Sequence, residues 1–330
     1  MKRTGKRLIG GALLAAVSGI GLSLYSSRVA RLAEDLVPAE GRFLDVAGAR
    51  LHYIDVGSGP AIVMVHGLAG QLRNFSYAML ERLTPDYRVI LVDRPGSGYS
   101  TADPGTTPGL IAQGAMIAEL ITTLGLDRPL VVGHSMGGAV ALALALDNPE
   151  LVRGIALIAP LTQMQDTVPD SFRGLARVPQ SARLIFAQTI GTPLSKLTAR
   201  HTLAMVFAPE VPPEDFGIRG GGLLSQRPAA IATASAELFG ANRDLRQMVP
   251  RYSELRVPTS ILFGRQDAIL DPGLHGHRLA AVVPHAKIDT IEGGHMLPVT
   301  VPDATMRFVK AAFAYGHGGH DLEKTGRNTI

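Results

Sequence analysis

The stretch LVVGHSMGGAVALALAL, residues 130–146, decides the fold. It begins with an apolar run that ends at Gly133, and an Ala- and Leu-rich helical pattern starts just after Ser135. The run predicts a buried strand and the pattern predicts a helix, so Ser135 stands at the sharp turn between them. Gly133 and Gly137, two positions on either side, let the backbone close without a Cβ clash. A serine in this setting is a candidate nucleophile, since the turn projects its hydroxyl away from the sheet.

Other apolar runs along the chain end in Gly, Pro or a polar residue, as strands buried on both faces do. They are AIVMVHG (61–67), YRVILVDRPG (87–96), GIALIAP (154–160), VPTSILFGRQD (257–267) and AKIDTIEGGHM (286–296). Helical patterns separate most of them. Two further β-like runs, RFLDVAG (42–48) and RLHYIDVG (50–57), precede them as a hairpin. Repeated strand–helix alternation predicts an α/β fold with a mostly parallel, eight-stranded sheet flanked by helices.

The alternation stops between residues 161 and 254, where Pro, Gly and Met occur in irregular helical pieces. This interruption predicts a helical cap, or lid, inserted after the sixth strand. The sheet domain would then comprise residues 42–160 and 255–315. Residues 316–330 are polar and rich in glycine, which predicts a disordered tail.

The N-terminal residues 1–41 have a different character from the rest. Four basic residues in MKRTGKR precede an uncharged segment, residues 8–25. At about 1.5 Å per residue such a helix would be just long enough to cross a bilayer core, although its glycines and serines weaken the segment. An uncleaved membrane anchor, a cleaved signal peptide and a soluble amphipathic helix all remain open. The favoured expectation is an anchor with the catalytic domain exported, because basic residues tend to stay inside.

Composition excludes several classes of function. The 330 residues are 46% hydrophobic and 18% charged, which allows a substantial core. The chain has no cysteine, so disulfides, thiolate metal sites and a cysteine nucleophile are excluded. The formal net charge of +4 is small, and no basic stripe is interleaved with aromatics, so nucleic acid is not an expected partner. The oligomeric state stays open.

A serine hydroxyl needs a base, and the base needs an acid to orient it. Asp267 comes directly after one predicted strand, and His295 follows the next. Their position at successive strand ends, in the order Ser, Asp, His, predicts a catalytic triad with Ser135.

Rival residues are present. Asp271 could be the acid, although its DPG context is more typical of a turn or helix start. The histidines that could compete as a base or a metal ligand lie in poorer contexts, and they are His275, His277, His285, His317 and His320. No metal site and no cofactor are predicted. His134 precedes the elbow serine and is expected to point away from it.

An oxyanion hole should accompany such a triad. The backbone N–H of Met136, just after Ser135, is one candidate donor, and the N–H of Leu68, in the loop after the 61–67 strand, is the other. In that loop Gly67 would permit a close backbone approach, and His66 would hydrogen-bond within the loop.

The chain resembles α/β-hydrolases of the esterase, lipase and cofactor-free haloperoxidase-like group over residues 42–315. The motifs that carry the resemblance are HGLAG, DRPGSGYS (93–100), GHSMGG, GRQD and GGHM, in the family's order. The resemblance implies that Ser135 is the nucleophile, His295 the base and Asp267 its orienting acid, with Leu68 and Met136 as oxyanion donors. It also implies that DRPGSGYS shapes a loop. Family members that are haloalkane dehalogenases or epoxide hydrolases use an aspartate nucleophile, against which Ser135 argues.

These residues predict a serine hydrolase that cleaves carboxylic esters, either lipid-like acyl esters or lactones. Acyl transfer to an alcohol, or carbon–carbon hydrolysis of the meta-cleavage type, could use the same triad. A non-catalytic ligand-binding protein on the same fold is a further alternative, although it would have no need to keep all five positions.

Overall fold

The structure is a computed structural model that describes residues 2–325, with side-chain environments for residues 17–316. Its centre is a nine-stranded sheet in the order β1-β2-β4-β3-β6-β7-β8-β9, with β5 paired to β2. The strands are β1 (Arg42–Val46), β2 (Ala49–Val56), β3 (Ala61–Val65), β4 (Arg88–Val92), β5 (Thr101–Ala102), β6 (Leu130–His134), β7 (Gly154–Ile158), β8 (Thr259–Gly264) and β9 (Ala286–Ile291). All pairings from β4 to β9 are parallel, whereas those of β2 are antiparallel.

This is the fold expected from the sequence, with one correction to the strand count. The ninth strand, β5, has two residues and pairs with the start of β2. Its two residues follow the DRPGSGYS loop and are too few to leave a periodic pattern. Because β5 is counted, the cap follows β7 in this numbering.

The central strands are buried along their whole length. Every residue of β3, β6, β7 and β8 is buried. Alternate residues enter two separate apolar clusters: Val63 and Val131 lie in one, Met64 and Val132 in the other. Two covered faces explain why these strands are continuous apolar runs in the sequence.

Helices cover both faces and form the insertion between β7 and β8. The α-helices are α1 (Lys2–Leu36), α2 (Arg73–Ser76), α3 (Leu80–Leu83), α4 (Leu110–Thr123), α5 (Met136–Asp147), α6 (Arg173–Ala176), α7 (Arg183–Phe186), α8 (Thr192–Phe207), α9 (Pro228–Met248), α10 (Arg278–Val282), α11 (Leu297–Thr300) and α12 (Pro302–Thr325). Short 3-10 helices are Pro149–Leu151, Asp170–Phe172, Gln180–Ala182, Gly222–Gln226 and Val249–Glu254, and π-helical turns are Ala187–Gly191 and Gly273–His277. Helices α6 to α9 form the cap.

The N-terminal helix α1 packs against the cap. Its side chains Val29, Ala33 and Val37 are buried, the last just beyond the helix end. Glu34 pairs with Arg227 of the cap at 2.9 Å. Residues 26–36 continue the same helix as residues 2–25.

The predicted membrane-spanning anchor finds no support in the structure. None of the helices in the described part of the chain combines the length and the apolarity needed to cross a membrane. Residues 8–16 of the predicted anchor have no described side-chain environment.

The chain's last helix also runs further than the sequence predicts. Disorder is expected from residue 316, whereas α12 continues to Thr325. Once a helix has formed, each added residue contributes a backbone hydrogen bond, so a polar continuation can stay helical. Residues 326–330 lie outside the described part of the chain.

Candidate active site

Ser135 occupies the sharp turn between β6 and α5. Its backbone has φ +55° and ψ −120°, a region that non-glycine residues rarely adopt. The turn is held by the Ser135 N–H, which donates to the carbonyl of Ile158 at 3.0 Å. A Cβ added at Gly137 would lie only 2.1 Å from the carbonyl oxygen of Val65, so glycine is required there. The small residues around Ser135 therefore serve a strained turn.

Asp267 and His295 are brought together at the same edge of the sheet. β8 and β9 are parallel neighbours, and the two residues follow their carboxyl ends. His295 Nδ1 lies 2.8 Å from Asp267 Oδ2, and both side chains are buried. The other carboxylate oxygen, Oδ1, accepts from the N–H groups of Ile269 and Leu270 at 2.8 and 3.0 Å. Both oxygens of Asp267 are therefore occupied, and one of them orients the imidazole.

The charge of Asp267 is stabilised where it lies. Burial would raise the pKa of this carboxyl, but the charge and hydrogen bond of His295 oppose that effect. With the N–H groups of Leu270 and Ile269 added, the pKa is lowered. The alternative acid, Asp271, accepts from the N–H of Leu274 at 2.6 Å, as the N-cap residue of a helix does. The geometry therefore selects Asp267 over Asp271 as the partner of the histidine.

His134 contacts the backbone of His295. Its Nε2 lies 3.0 Å from the carbonyl of His295, and the two rings are 4.9 Å apart. Burial, followed by the charge of His295, lowers the pKa of His134 to about 3. A neutral ring must carry its proton on Nε2 to donate to that carbonyl. His134 therefore links the elbow to the histidine loop and does not act as a base.

The loop after β3 comes close to the turn that carries Ser135. A Cβ added at Gly67 would lie 2.9 Å from Ser135 Cβ and 3.4 Å from its Oγ, so the glycine permits the approach. The next N–H, that of Leu68, donates to no other group among residues 17–316. The N–H of Met136 begins α5, and the first N–H groups of a helix have no partner within the helix. Among the described residues, neither predicted oxyanion donor therefore has another acceptor.

His66 braces this loop in its neutral form. Its Nε2 accepts from the N–H of Arg94 at 2.9 Å, so the ring proton belongs on Nδ1. Nδ1 lies 2.8 Å from the carbonyl of Gly67 and donates to it. Burial, with the nearby charge of Arg94, lowers the pKa of His66 well below its ordinary value.

Two contacts from the cap reach this site and were not expected from the sequence. Glu210 accepts from the N–H of Gly294, the residue before His295, at 3.1 Å. Glu237 on α9 forms an ion pair with Arg94, and both side chains are buried. Of the residues in these contacts from the cap, only Arg94 belongs to a motif that is recognisable in the sequence, DRPGSGYS. Its partner is 143 residues away in a segment without a readable pattern.

The rival histidines make other contacts, although His275 is near enough to Asp267 and His295 to interact with their charges. His275 is buried, and its Nδ1 accepts from the N–H groups of Thr162 and Gln163 at 3.1 and 3.2 Å, which secures the start of the cap. His277 is exposed, and the side chains of His317 and His320 lie outside the described environments. Within the described residues, no three His, Asp or Glu side chains are grouped as a metal site would require.

Buried neutral histidines should make the protein less stable in acid. Burial lowers the pKa of His275 to about 4, and that of His134 to about 3, from about 6.5 in the unfolded chain. At a pH between the folded-state and the unfolded-state pKa of a histidine, that histidine binds a proton only in the unfolded chain. The free energy of unfolding should therefore be highest above pH 6.5, and it should fall as the pH decreases from 6.5 towards 4.

His275→Asn tests this dependence, because the Asn oxygen can replace Nδ1 as acceptor. Urea unfolding at pH 6 and pH 5 should show a pH slope smaller by about 1 kcal/mol per pH unit than in the wild type. Exposed His277→Asn is the matched control and should keep the wild-type slope. An unchanged slope in His275→Asn would mean that this histidine is protonated in the folded protein.

Comparison with known proteins identifies the class of protein. Residues 60–300 match the profile of the α/β hydrolase fold family. The chain belongs to that family, in keeping with its sheet order, its elbow serine and its inserted cap.

Individual relatives are hydrolases of more than one kind. A pimeloyl-(acyl-carrier protein) methyl ester esterase from Xanthomonas oryzae pv. oryzae is 33% identical over 274 residues, which cover 78% of this chain and 98% of that protein. Haloalkane dehalogenase 2 from Mycobacterium tuberculosis is 27% identical over 282 residues, covering 81% and 93%. The solved structure of a bacterial membrane phospholipase A shares the fold, with a TM-score of 0.67, 23% identity and coverage of 96% and 99%.

Proposed function

We propose that this protein is a serine hydrolase that cleaves carboxylic esters through an acyl-enzyme. The observation that carries the proposal is the Asp267–His295 hydrogen bond of 2.8 Å, at the sheet edge where the strained turn of Ser135 lies. A buried, charged carboxylate that fixes an imidazole beside a serine is the arrangement that activates a hydroxyl.

The reaction follows from the roles of these groups. His295 takes the proton of Ser135 as Oγ attacks the substrate carbonyl, and the N–H groups of Leu68 and Met136 bind the resulting oxyanion. Collapse of the tetrahedral intermediate expels the alcohol, which receives the proton from His295. Water, deprotonated by His295, then attacks the acyl-enzyme and releases the acid. Asp267 stabilises the imidazolium in both halves without taking its proton.

A serine nucleophile favours ester cleavage over dehalogenation. In the dehalogenases and epoxide hydrolases that the chain resembles, a carboxylate attacks an alkyl carbon. Here the nucleophile position holds Ser135, whose alkoxide is suited to a carbonyl carbon flanked by oxyanion donors. The name of the Xanthomonas relative, a methyl ester esterase, supports the same bond type.

The surroundings of His295 favour an apolar acyl group. Met296, directly after the histidine, and Val299, one helical turn further on, form a buried cluster with Phe207 and Phe216 of the cap. The rings of Phe207 and Phe216 are 4.9 Å apart. From these apolar surroundings we infer that the acyl group is an aliphatic chain or the body of a lactone.

Attachment to a membrane through the N-terminal segment, and export of the catalytic domain, stay predictions from the sequence. Fractionation of cells that make the full chain tests both. Recovery in the soluble cytoplasmic fraction would contradict them.

The substrate class is tested with p-nitrophenyl esters of increasing chain length and with lactones, using the full chain. We expect hydrolysis that a fluorophosphonate abolishes, with the probe attached to Ser135, because that serine is the activated one. Added alcohol acceptor should leave the acid as the main product. Ester formation instead would indicate an acyltransferase, and absence of both turnover and labelling would favour a non-catalytic binding protein.

A further inference from the structure

The side chain of Arg94 joins three parts of the molecule: the loop after β3, α4 and α9 of the cap. Its side chain is fully buried, and all five of its N–H groups have acceptors. Nε donates to the carbonyl of His66 and one Nη2 hydrogen to the carbonyl of Gly67, both at 2.9 Å. The remaining donors reach Gln113 and both carboxylate oxygens of Glu237.

The contact to Gly67 involves the oxyanion donor directly. The carbonyl of Gly67 and the N–H of Leu68 belong to one peptide unit, which is planar, so the two groups point in opposite directions. The guanidinium acts on the oxygen side together with Nδ1 of His66 and the N–H of Gly70, which donate to the same carbonyl at 2.8 and 3.2 Å, and these donors fix the direction of the N–H. It also polarises the peptide, which makes that N–H a stronger donor.

Arg94 is in turn held from the cap. Glu237 lies on α9 with its side chain 3% exposed, and it supplies the opposing charge for the guanidinium. Gln113 of α4 bridges the two, since its Nε2 donates to Glu237 at 3.0 Å and its Oε1 accepts from Arg94 at 3.0 Å. Displacing α9 would leave the buried guanidinium without its opposing charge, a costly state that the loop would have to relieve by moving.

We propose that Glu237 is a positioning residue that, through Arg94, orients the Gly67–Leu68 peptide and couples the seating of the cap to a working oxyanion hole. This inference rests on the proposed serine hydrolase function. It assigns to a cap residue, remote from the bond that is cleaved, a part in stabilising the transition state.

Glu237→Gln tests the inference, because it keeps the shape of the side chain and removes its charge. Loss of a whole oxyanion donor costs about 10²–10³ in kcat. A misdirected donor should cost less, so we expect kcat for a short p-nitrophenyl ester to fall roughly 10–100-fold. KM should change by less than about twofold, because the defect concerns the transition state.

A merely structural role is separated by ligand affinity. A trifluoromethyl ketone forms an oxyanion adduct with the serine, whereas the corresponding trifluoromethyl carbinol cannot. Glu237→Gln should weaken the ketone in parallel with kcat/KM and leave the carbinol unchanged. Equal weakening of both ligands would overturn the proposal, as would wild-type values of kcat and ketone affinity.

Two further variants complete the test. Glu237→Asp keeps the charge and protects the fold, and its shorter side chain should give a smaller loss of the same kind. Asp215→Asn removes the charge from another cap-to-core contact, the 2.8 Å bond from Tyr77 Oη, without touching the oxyanion loop, and should leave kcat unchanged. A matching kcat loss in Asp215→Asn, or wild-type kinetics in Glu237→Asp together with a Glu237→Gln that does not fold, would overturn the proposal. A wild-type protein without turnover or Ser135 labelling would refute the hydrolase function itself, and this inference with it.

Discussion

Ser135→Ala should lower kcat for a carboxylic ester by a factor on the order of 10⁴–10⁶ while the protein stays folded. The substitution removes only Oγ, so no acyl-enzyme can form. Alanine keeps the Cβ in the same turn, and the backbone bond from residue 135 to Ile158 does not involve the side chain. The measurement is initial-rate kinetics on the best ester of the chain-length series.

Urea unfolding supplies the control for this variant, since its midpoint should remain close to that of the wild type. Ser225→Ala is the matched variant. Ser225 lies in the cap, and its hydroxyl donates to the carbonyl of Gly222 in its own turn at 2.7 Å. It should retain both turnover and fluorophosphonate labelling. Turnover near the wild-type rate in Ser135→Ala would remove this serine from the mechanism.

Asp267→Asn should cost about 10⁴ in kcat by imposing the wrong imidazole tautomer. The Oδ1 position receives the N–H groups of Ile269 and Leu270, so an oxygen is required there. The amide nitrogen of the variant must then face Nδ1 of His295, which has to become an acceptor. Its proton moves to Nε2, and a ring protonated there cannot take the proton of Ser135.

Asp271→Asn is the matched control for this prediction. Asp271 caps the N–H of Leu274, and asparagine caps a helix as well as aspartate does. Its kcat should therefore stay within about twofold of the wild type, by the small effect expected of such a swap. The reverse order, with the larger loss in Asp271→Asn, would assign the orienting acid to Asp271.

Local patterns were sufficient to predict the fold and to place the site residues in register. GHSMGG, GRQD and GGHM lie at strand ends, and parallel strands bring their carboxyl ends to one edge of a sheet. The bond between Asp267 and His295 follows from this topology, because β8 and β9 are neighbours. Such features depend on residues that are close together in the chain at a strand end, so they can be predicted from a single sequence.

The cap contacts depend on pairs that are far apart in the chain, and they could not be predicted. Glu237 looks like an ordinary charged residue of an amphipathic helix until α9 is placed over Arg94. The role of His134 was also hidden, since its partner is a backbone carbonyl of His295 rather than a side chain. The two-residue strand β5 and the extent of α1 were missed for the opposite reason, that their local signals are weak.

The packing of α1 against the cap has a thermodynamic consequence. Gln188 of the cap donates to Ser23 and Ser27, and Arg227 joins Glu34, so the first helix and the cap share one set of contacts. Free-energy coupling between two sites is reciprocal. An interaction that holds α1 more tightly when the cap is seated therefore favours the seated cap by the same free energy. By the same reciprocity, a ligand that favours the seated cap strengthens the contacts between α1 and the cap by an equal free energy.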